Sequence, residues 1–195
     1  MLTILKHAKN FVGDGAEKPV FKGIHFTGGE IAVSNTHVLV FRTNYPSEKK
    51  TIHWKTGAPI AEVYPDVAKC IPLNSQIKFE FMDLNSWIHS LKICVLVNKG
   101  SDICPCSLES YGDDLNLKSK WCGHSYSSAH KFNLVKGPLL ESISFNAKYL
   151  HDVLVFFKDS GVTIVTMGFN TALTPITLTT DKDVLAVLTP IRGNA

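Results

Sequence analysis

The segment from residue 143 to residue 192 constrains the fold most tightly. It reads I-S-F-N-A-K-Y-L-H-D-V-L-V-F-F-K-D-S-G-V-T-I-V-T-M-G and closes on V-L-A-V-L-T-P-I-R. Tyr149, Leu150, Val153, Leu154 and Phe157 recur at helical spacing and predict a helix over residues 145–158. Three β-rich runs follow, over residues 162–167, 174–179 and 184–189, and the last ends in Pro190-Ile191-Arg192. A helix with one apolar face, followed by three short strands, buries that face by lying across the sheet the strands form. Nothing in the segment has the spacing of a nucleophile and its base.

The rest of the chain repeats this order. Leu2, Leu5, Ala8 and Val12 share one helical face and Lys6 and Lys9 another, with Gly13 and Gly15 as the stop signal. Strands are expected over residues 20–26, 30–34, 38–43 and 51–54, with Gly28-Gly29 as a hairpin turn. Residues 58–68 read weakly as a helix that Pro65 kinks. Ile77, Phe79 and Phe81 alternate with polar residues in a half-buried strand over 76–81. Leu84, Trp87, Ile88, Leu91 and Val95 then stripe a second helix, with Asn85, His89 and Lys92 opposite. Strands over 103–111, 115–122 and 130–135 follow, with Asp113-Asp114 in the first turn. The expectation is an α+β chain of two units, 1–82 and 83–195, each an antiparallel sheet with two helices on one face.

Composition agrees with a packed core. Of 195 residues, 45% are apolar and 19% charged, which excludes a disordered chain. A net charge of +3 permits nucleic-acid contact without demanding it. No run reaches the roughly 18 apolar residues of a membrane span, and Met1 to Lys9 lacks a secretory core. Five scattered cysteines suit reduced thiols better than a disulfide framework. The chain therefore reads as cytoplasmic.

Two separate segments resemble one family. Residues 143–192, with Phe145-Asn146 at the helix start and Pro190-Ile191-Arg192 at the close, resemble the C-terminal domain of bacterial sliding clamps, the β subunit of DNA polymerase III. Phe21 to Val40 resembles the middle domain of the same clamps. There the family reads T-D-G-H-R-L-A, and here the letters are Ser34, Asn35, Thr36, His37, Val38, Leu39 and Val40. His37 and Leu39 match, while Thr36 replaces Gly and Val38 replaces Arg.

The resemblance implies a non-enzymatic processivity or recruitment factor of DNA replication, without cofactors. It implies a hydrophobic peptide pocket between Thr36, His37, Val38 and Leu39 on one side and Val187, Leu188, Thr189, Pro190, Ile191 and Arg192 on the other. The partners would be DNA polymerase and clamp-loader-type peptides. Lys6, Lys9, His89, Lys92 and Lys148 would face double-stranded DNA and meet its phosphates without reading sequence. Without the resemblance, the same lysines are ordinary solvated charge. Edge-strand pairing, head to tail, would build a ring of six domains, hence a homotrimer of two-domain chains. A clamp so reduced would suit a phage or prophage. The alternative is a monomeric clamp-fold module that regulates or mimics the host clamp without encircling DNA.

Cys104, Cys106, Cys122 and His124 form a Cys-X-Cys and Cys-X-His set that two adjacent strands could present to zinc. The spacing is not the usual one and Pro105 disfavours a central strand, so buried or edge cysteines are the better reading. Gly28-Gly29 lacks the Lys-Ser/Thr of a phosphate loop.

Overall fold

The computed structural model describes residues 2–13, 18–72, 74–101, 103–138 and 141–191. Its chain repeats one local order, a helix and then a three-stranded antiparallel meander. α1 (Leu2–His7) precedes β1 (Gly23–Phe26), β2 (Ile31–Ser34) and β3 (Val38–Arg42). After β4 (Lys50–His53) and β5 (Ile77–Phe81), α2 (Leu84–Val97) precedes β6 (Pro105–Tyr111), β7 (Asp114–Trp121) and β8 (His124–Lys136). After β9 (Ile143–Asn146), α3 (Ala147–Asp159) precedes β10 (Val165–Phe169), β11 (Ile176–Thr180) and β12 (Val184–Leu188).

The meanders join in a 12-stranded sheet of order β4-β1-β2-β3-β12-β11-β10-β5-β8-β7-β6-β9. One joint pairs two third strands, β3 and β12, from Val38↔Leu188 to Arg42↔Val184. At the other, β5 lies between β10 and β8. All paired strands run antiparallel, and the class is α+β as expected. Residues 1–82 hold a single described α-helix, so two helices per unit is met only by α2 and α3.

Local sequence explains these helices. The Asn146 carboxamide oxygen accepts the Lys148 N–H at 3.0 Å, and the Asp83 carboxylate accepts those of Asn85 and Ser86 at 3.0 and 3.2 Å. Counting from each cap, the buried positions coincide. Trp87, Ser90, Leu91 and Cys94 fall where Leu150, Val153, Leu154 and Phe157 do. These faces pack on the sheet in a core that runs through both parts of the chain. Phe79 on β5 anchors it, with edge contacts to Phe81, Phe132 and Phe169 at 5.7, 5.9 and 6.4 Å. A smaller cluster of Val20, Ala32, Leu39, Phe41, Tyr64, Val67 and Val187 forms a second core.

Several elements differ from expectation. α1 stops at His7 and continues as a 3-10 turn, Ala8–Asn10, well before Gly13; Gly15 lies outside the described residues. The first strand begins only at Gly23, because Pro19 opens a 3-10 turn. A side chain at Gly23 would meet Thr51 Cγ2 at 2.5 Å, so only glycine lets β1 and β4 approach. Residues 58–68 are not a helix. Pro59 and Pro65 each remove a helix donor; Pro59 instead bridges to Ile52, and a 3-10 turn forms at Val67–Cys70. Phe145 and Asn146 belong to β9 and the cap rather than to the helix. β8 starts at His124, six residues before the expected strand, because its serine-rich first half has no apolar alternation to reveal it. Among the described residues, no helix is long and apolar enough to cross a membrane.

Phe79 is 1% exposed. Phe79→Ala should cost about 3–5 kcal/mol in urea unfolding, whereas Leu173→Ala at an exposed site should stay within about 0.5 kcal/mol.

Candidate docking site

The loop between β2 and β3 is held by its own side chains. The Asn35 carboxamide oxygen accepts the N–H groups of His37 and Val38 at 3.0 and 2.8 Å. The Ser34 hydroxyl donates to the Val38 carbonyl at 2.9 Å and accepts the Thr36 N–H at 3.1 Å. This clamp keeps Thr36 at φ 75°, a left-handed position that favours glycine. Thr189, just past β12, donates its N–H to the His37 carbonyl at 2.9 Å and ties the loop to the chain's last strand.

The loop and β12 form two walls of a cavity of about 570 Å³. Thr36, His37, Val38, Leu39, Val187 and Thr189 line it, together with Phe21 and Pro175. A third wall, from Pro65 to Val67 and Lys69 to Pro72, was not anticipated. Its signal was Pro65 and Pro72 flanking Val67 and Ile71, which the weak helix reading concealed. Asp66 and Lys69 pair at 3.2 Å on this wall, and Cys70 is exposed. Leu188 is instead buried in the main core. Pro190 does not line the cavity, and Ile191 lines a separate one of about 580 Å³ beside Cys106 and Ser144. The cause is a backbone bond: the Ile191 N–H donates to the Ser144 carbonyl at 2.8 Å and draws the tail towards β9. Arg192 lies outside the described residues.

A neighbouring cavity of about 650 Å³ shares Pro65, Asp66 and Val67 but carries Glu30, Lys49, Lys50 and Glu62. His25 stacks on Tyr64 there at 4.6 Å, and burial, aided by Lys49, lowers its pKa.

Lys6, Lys9, His89, Lys92 and Lys148 are all exposed on the helix layer. Their charges are not equally available. Lys6 Nζ lies 2.6 Å from Asp159, which His7 also contacts at 2.9 Å. Lys148 pairs with Asp152 at 2.5 Å. Burial alone would raise the Asp152 pKa, but hydrogen bonds from His151 and Lys148 outweigh it and hold the carboxyl low. Across the three α-helices and the 3-10 turn after α1, five lysines face two aspartates, so the layer is net positive.

The four cysteine and histidine ligands do not assemble. Cys104 and Cys106 are buried, and the Cys106 thiol reaches the Phe145 carbonyl at 3.5 Å. Cys122 and His124 are exposed at the β7–β8 turn. Among the described residues, no group of three or more His, Cys, Asp or Glu side chains could hold a metal ion. Burial pushes the Cys94 thiol up to about 12 and raises those of Cys104 and Cys106. In a thiol-titration assay, Cys70 and Cys122 should react at once, and Cys94, Cys104 and Cys106 only after denaturation.

No protein-family model matches the chain, and no curated protein matches it. Solved structures do. The DNA polymerase sliding clamp of Bacillus subtilis superposes with a TM-score of 0.84 at 15% identity, over 98% of this chain and 62% of that one. The Pseudomonas aeruginosa sliding clamp gives 0.83 at 13% identity, over 98% and 63%. The DNA polymerase III β chain of Streptococcus pneumoniae gives 0.81 at 19% identity, over 97% and 63%. The fold is that of the bacterial sliding clamps, and this chain spans less than two thirds of their length.

Proposed function

We propose that this chain is a cytoplasmic, non-enzymatic clamp-like factor of DNA replication that recruits a DNA polymerase or clamp-loader-type protein by docking its peptide. The observation that carries the reading is the cavity at the joint of β3 and β12, where residues from three distant segments meet. Its walls present Val38, Leu39, Ile71 and Val187 to a ligand, with His37, Asp66 and Lys69 at hand for polar contacts. Apolar peptide side chains placed there gain roughly 25 cal/mol per Å² before the costs of binding. The net-positive helix layer supports a second contact, with double-stranded DNA, through phosphates and without sequence preference. The division 1–82 and 83–195 stands as a proposal, with β5 hydrogen-bonded into the second unit. A reduced clamp of this kind fits a phage or prophage replication system.

One observation favours the alternative, a clamp-fold module that regulates or mimics the host clamp without encircling DNA. A head-to-tail trimeric ring needs a free sheet edge at each end of the chain. Residues 58–60 occupy the outer side of β4: His53 donates its N–H to Ala58 at 2.7 Å, and Ile60 donates to Thr51 at 2.9 Å. Pro59, without an N–H, ends further pairing there.

Calorimetry with a clamp-binding peptide tests docking. Ile71→Asp should abolish binding while the far-ultraviolet spectrum is unchanged. Ile191→Asp, in the other cavity, should leave the affinity as it was. Wild-type protein that binds no such peptide sinks the reading.

DNA contact is tested by anisotropy with a labelled duplex over a salt series. Lys9→Glu with Lys92→Glu should lower the salt slope of log K by about 1.8, at about 0.9 for each phosphate that a lysine no longer neutralises. Lys6 and Lys148 are already paired, so their removal should change the slope less. Peptide binding should not respond to any of the four.

A further inference from the structure

Side chains alternate along the first meander. Ile24, Phe26, Val38 and Val40 enter the main core, which turns His25, Leu39 and Phe41 to the opposite face of the sheet. On that face the register sets His25 beside Ala32 and Thr51, and Ala32 beside Phe41. The chain after β4 returns across it. Ile60 donates its N–H to the Thr51 carbonyl at 2.9 Å, and Tyr64 and Val67 then join Ala32, Leu39 and Phe41 in the smaller core.

This return divides the face in two. The docking cavity lies on one side and the cavity of about 650 Å³ on the other, and Pro65, Asp66 and Val67 belong to both. An extended chain advances about 3.3 Å per residue. The flank of a peptide seated in the first cavity therefore crosses the shared wall within a few residues.

The second cavity has its own chemistry. Tyr64 stacks on His25 at 4.6 Å with the rings parallel, and the Thr51 hydroxyl meets His25 Nδ1 at 2.9 Å. Burial, with Lys49 adding to it, lowers the His25 pKa and leaves the ring uncharged at neutral pH. Val63, on the rim, is 91% exposed. Two of the charges lining the cavity are answered from outside it: Asp66 by Lys69 at 3.2 Å, and Lys50 by Glu48 at 3.7 Å. Among the described residues, the carboxylates of Glu30 and Glu62 have no ion pair or hydrogen bond, and Lys49 is the one other lysine in the lining. The cavity thus has three carboxylates against two lysines in a chain whose net charge is +3.

We propose that this second cavity binds an arginine on the flank of the docked peptide, with the guanidinium against His25 and facing the carboxylates of Glu30 and Glu62. The inference rests on the docking reading and gives it a rule of specificity: the first cavity takes apolar side chains, and the second selects the charge that follows or precedes them. Arginine suits the site better than lysine. Its planar guanidinium stacks on an aromatic ring and forks to a carboxylate, whereas an ammonium is a compact point charge. Its apolar stem covers surface such as Val63 while the charged head stays at the rim. An acidic flank would instead add a like charge beside two unpaired carboxylates.

Calorimetry separates the two cavities. The probes are a clamp-binding peptide, the same peptide extended by Gly-Gly-Arg at either end, and matched extensions carrying Glu in place of Arg. One of the two arginine extensions should bind about fivefold more tightly than the parent, the scale of a partly exposed ion pair, and neither glutamate extension should gain. Glu30→Gln with Glu62→Gln should erase that gain and leave the affinity for the parent peptide, and the far-ultraviolet spectrum, unchanged. A parent that binds while no arginine extension gains overturns this inference alone, as does a gain that survives the double substitution or one that glutamate reproduces. A parent that does not bind sinks the docking reading and this inference with it.

Discussion

The five residue pairs between β3 and β12 join the first and last meanders of the chain, and most of what is distinctive depends on them. Through that ladder Thr189 reaches His37, so a loop near the start of the chain and a strand near its end become two walls of one cavity. The same ladder brings α1 over α3, where Asp159 gathers Lys6 and His7. Antiparallel pairing over five residues also fixes register, because a slip of one residue would turn Val38 and Val40 out of the main core.

Charge on the helix layer follows from this packing. α2 carries Lys92 and no carboxylate, whereas both aspartates of α3 are engaged by neighbouring cations. The layer therefore presents an excess of positive charge although the whole chain is only mildly basic. Two of the lysines are held by short ion pairs, and their charge is already partly answered within the molecule. A phosphate backbone would meet Lys9 and Lys92 first.

Both ends of the sheet, β4 and β9, are met by short segments of the same chain. β4 is closed by its own chain at Ala58 to Ile60, and the Ile191 tail covers β9 at Ser144. Residues 124–131 of β8 pair with β7 on one side and have no such cover on the other among the described residues.

Helical periodicity and strand alternation were enough to find α2, α3 and most strands, because a face that is buried writes its period into the sequence. Asn146 marked a helix start, and the letters around His37 and Leu39 pointed to one wall of the cavity, whereas the Asp83 cap came from the structure. Three features were invisible at that level. The first half of β8 has no apolar alternation, since its alternate side chains are exposed serines, an alanine and a lysine. The third wall of the cavity has no regular period, because two prolines prevent it from being a helix and its place is set by contacts to Phe21, Leu39 and Val187. Ile191 belongs to another cavity because of one backbone hydrogen bond to Ser144, and backbone donors carry no sequence signature. Sequence alone thus determined the elements whose side chains face a core. Which strands share an edge, and which edge stays open, came from long-range pairing that only the folded chain defines.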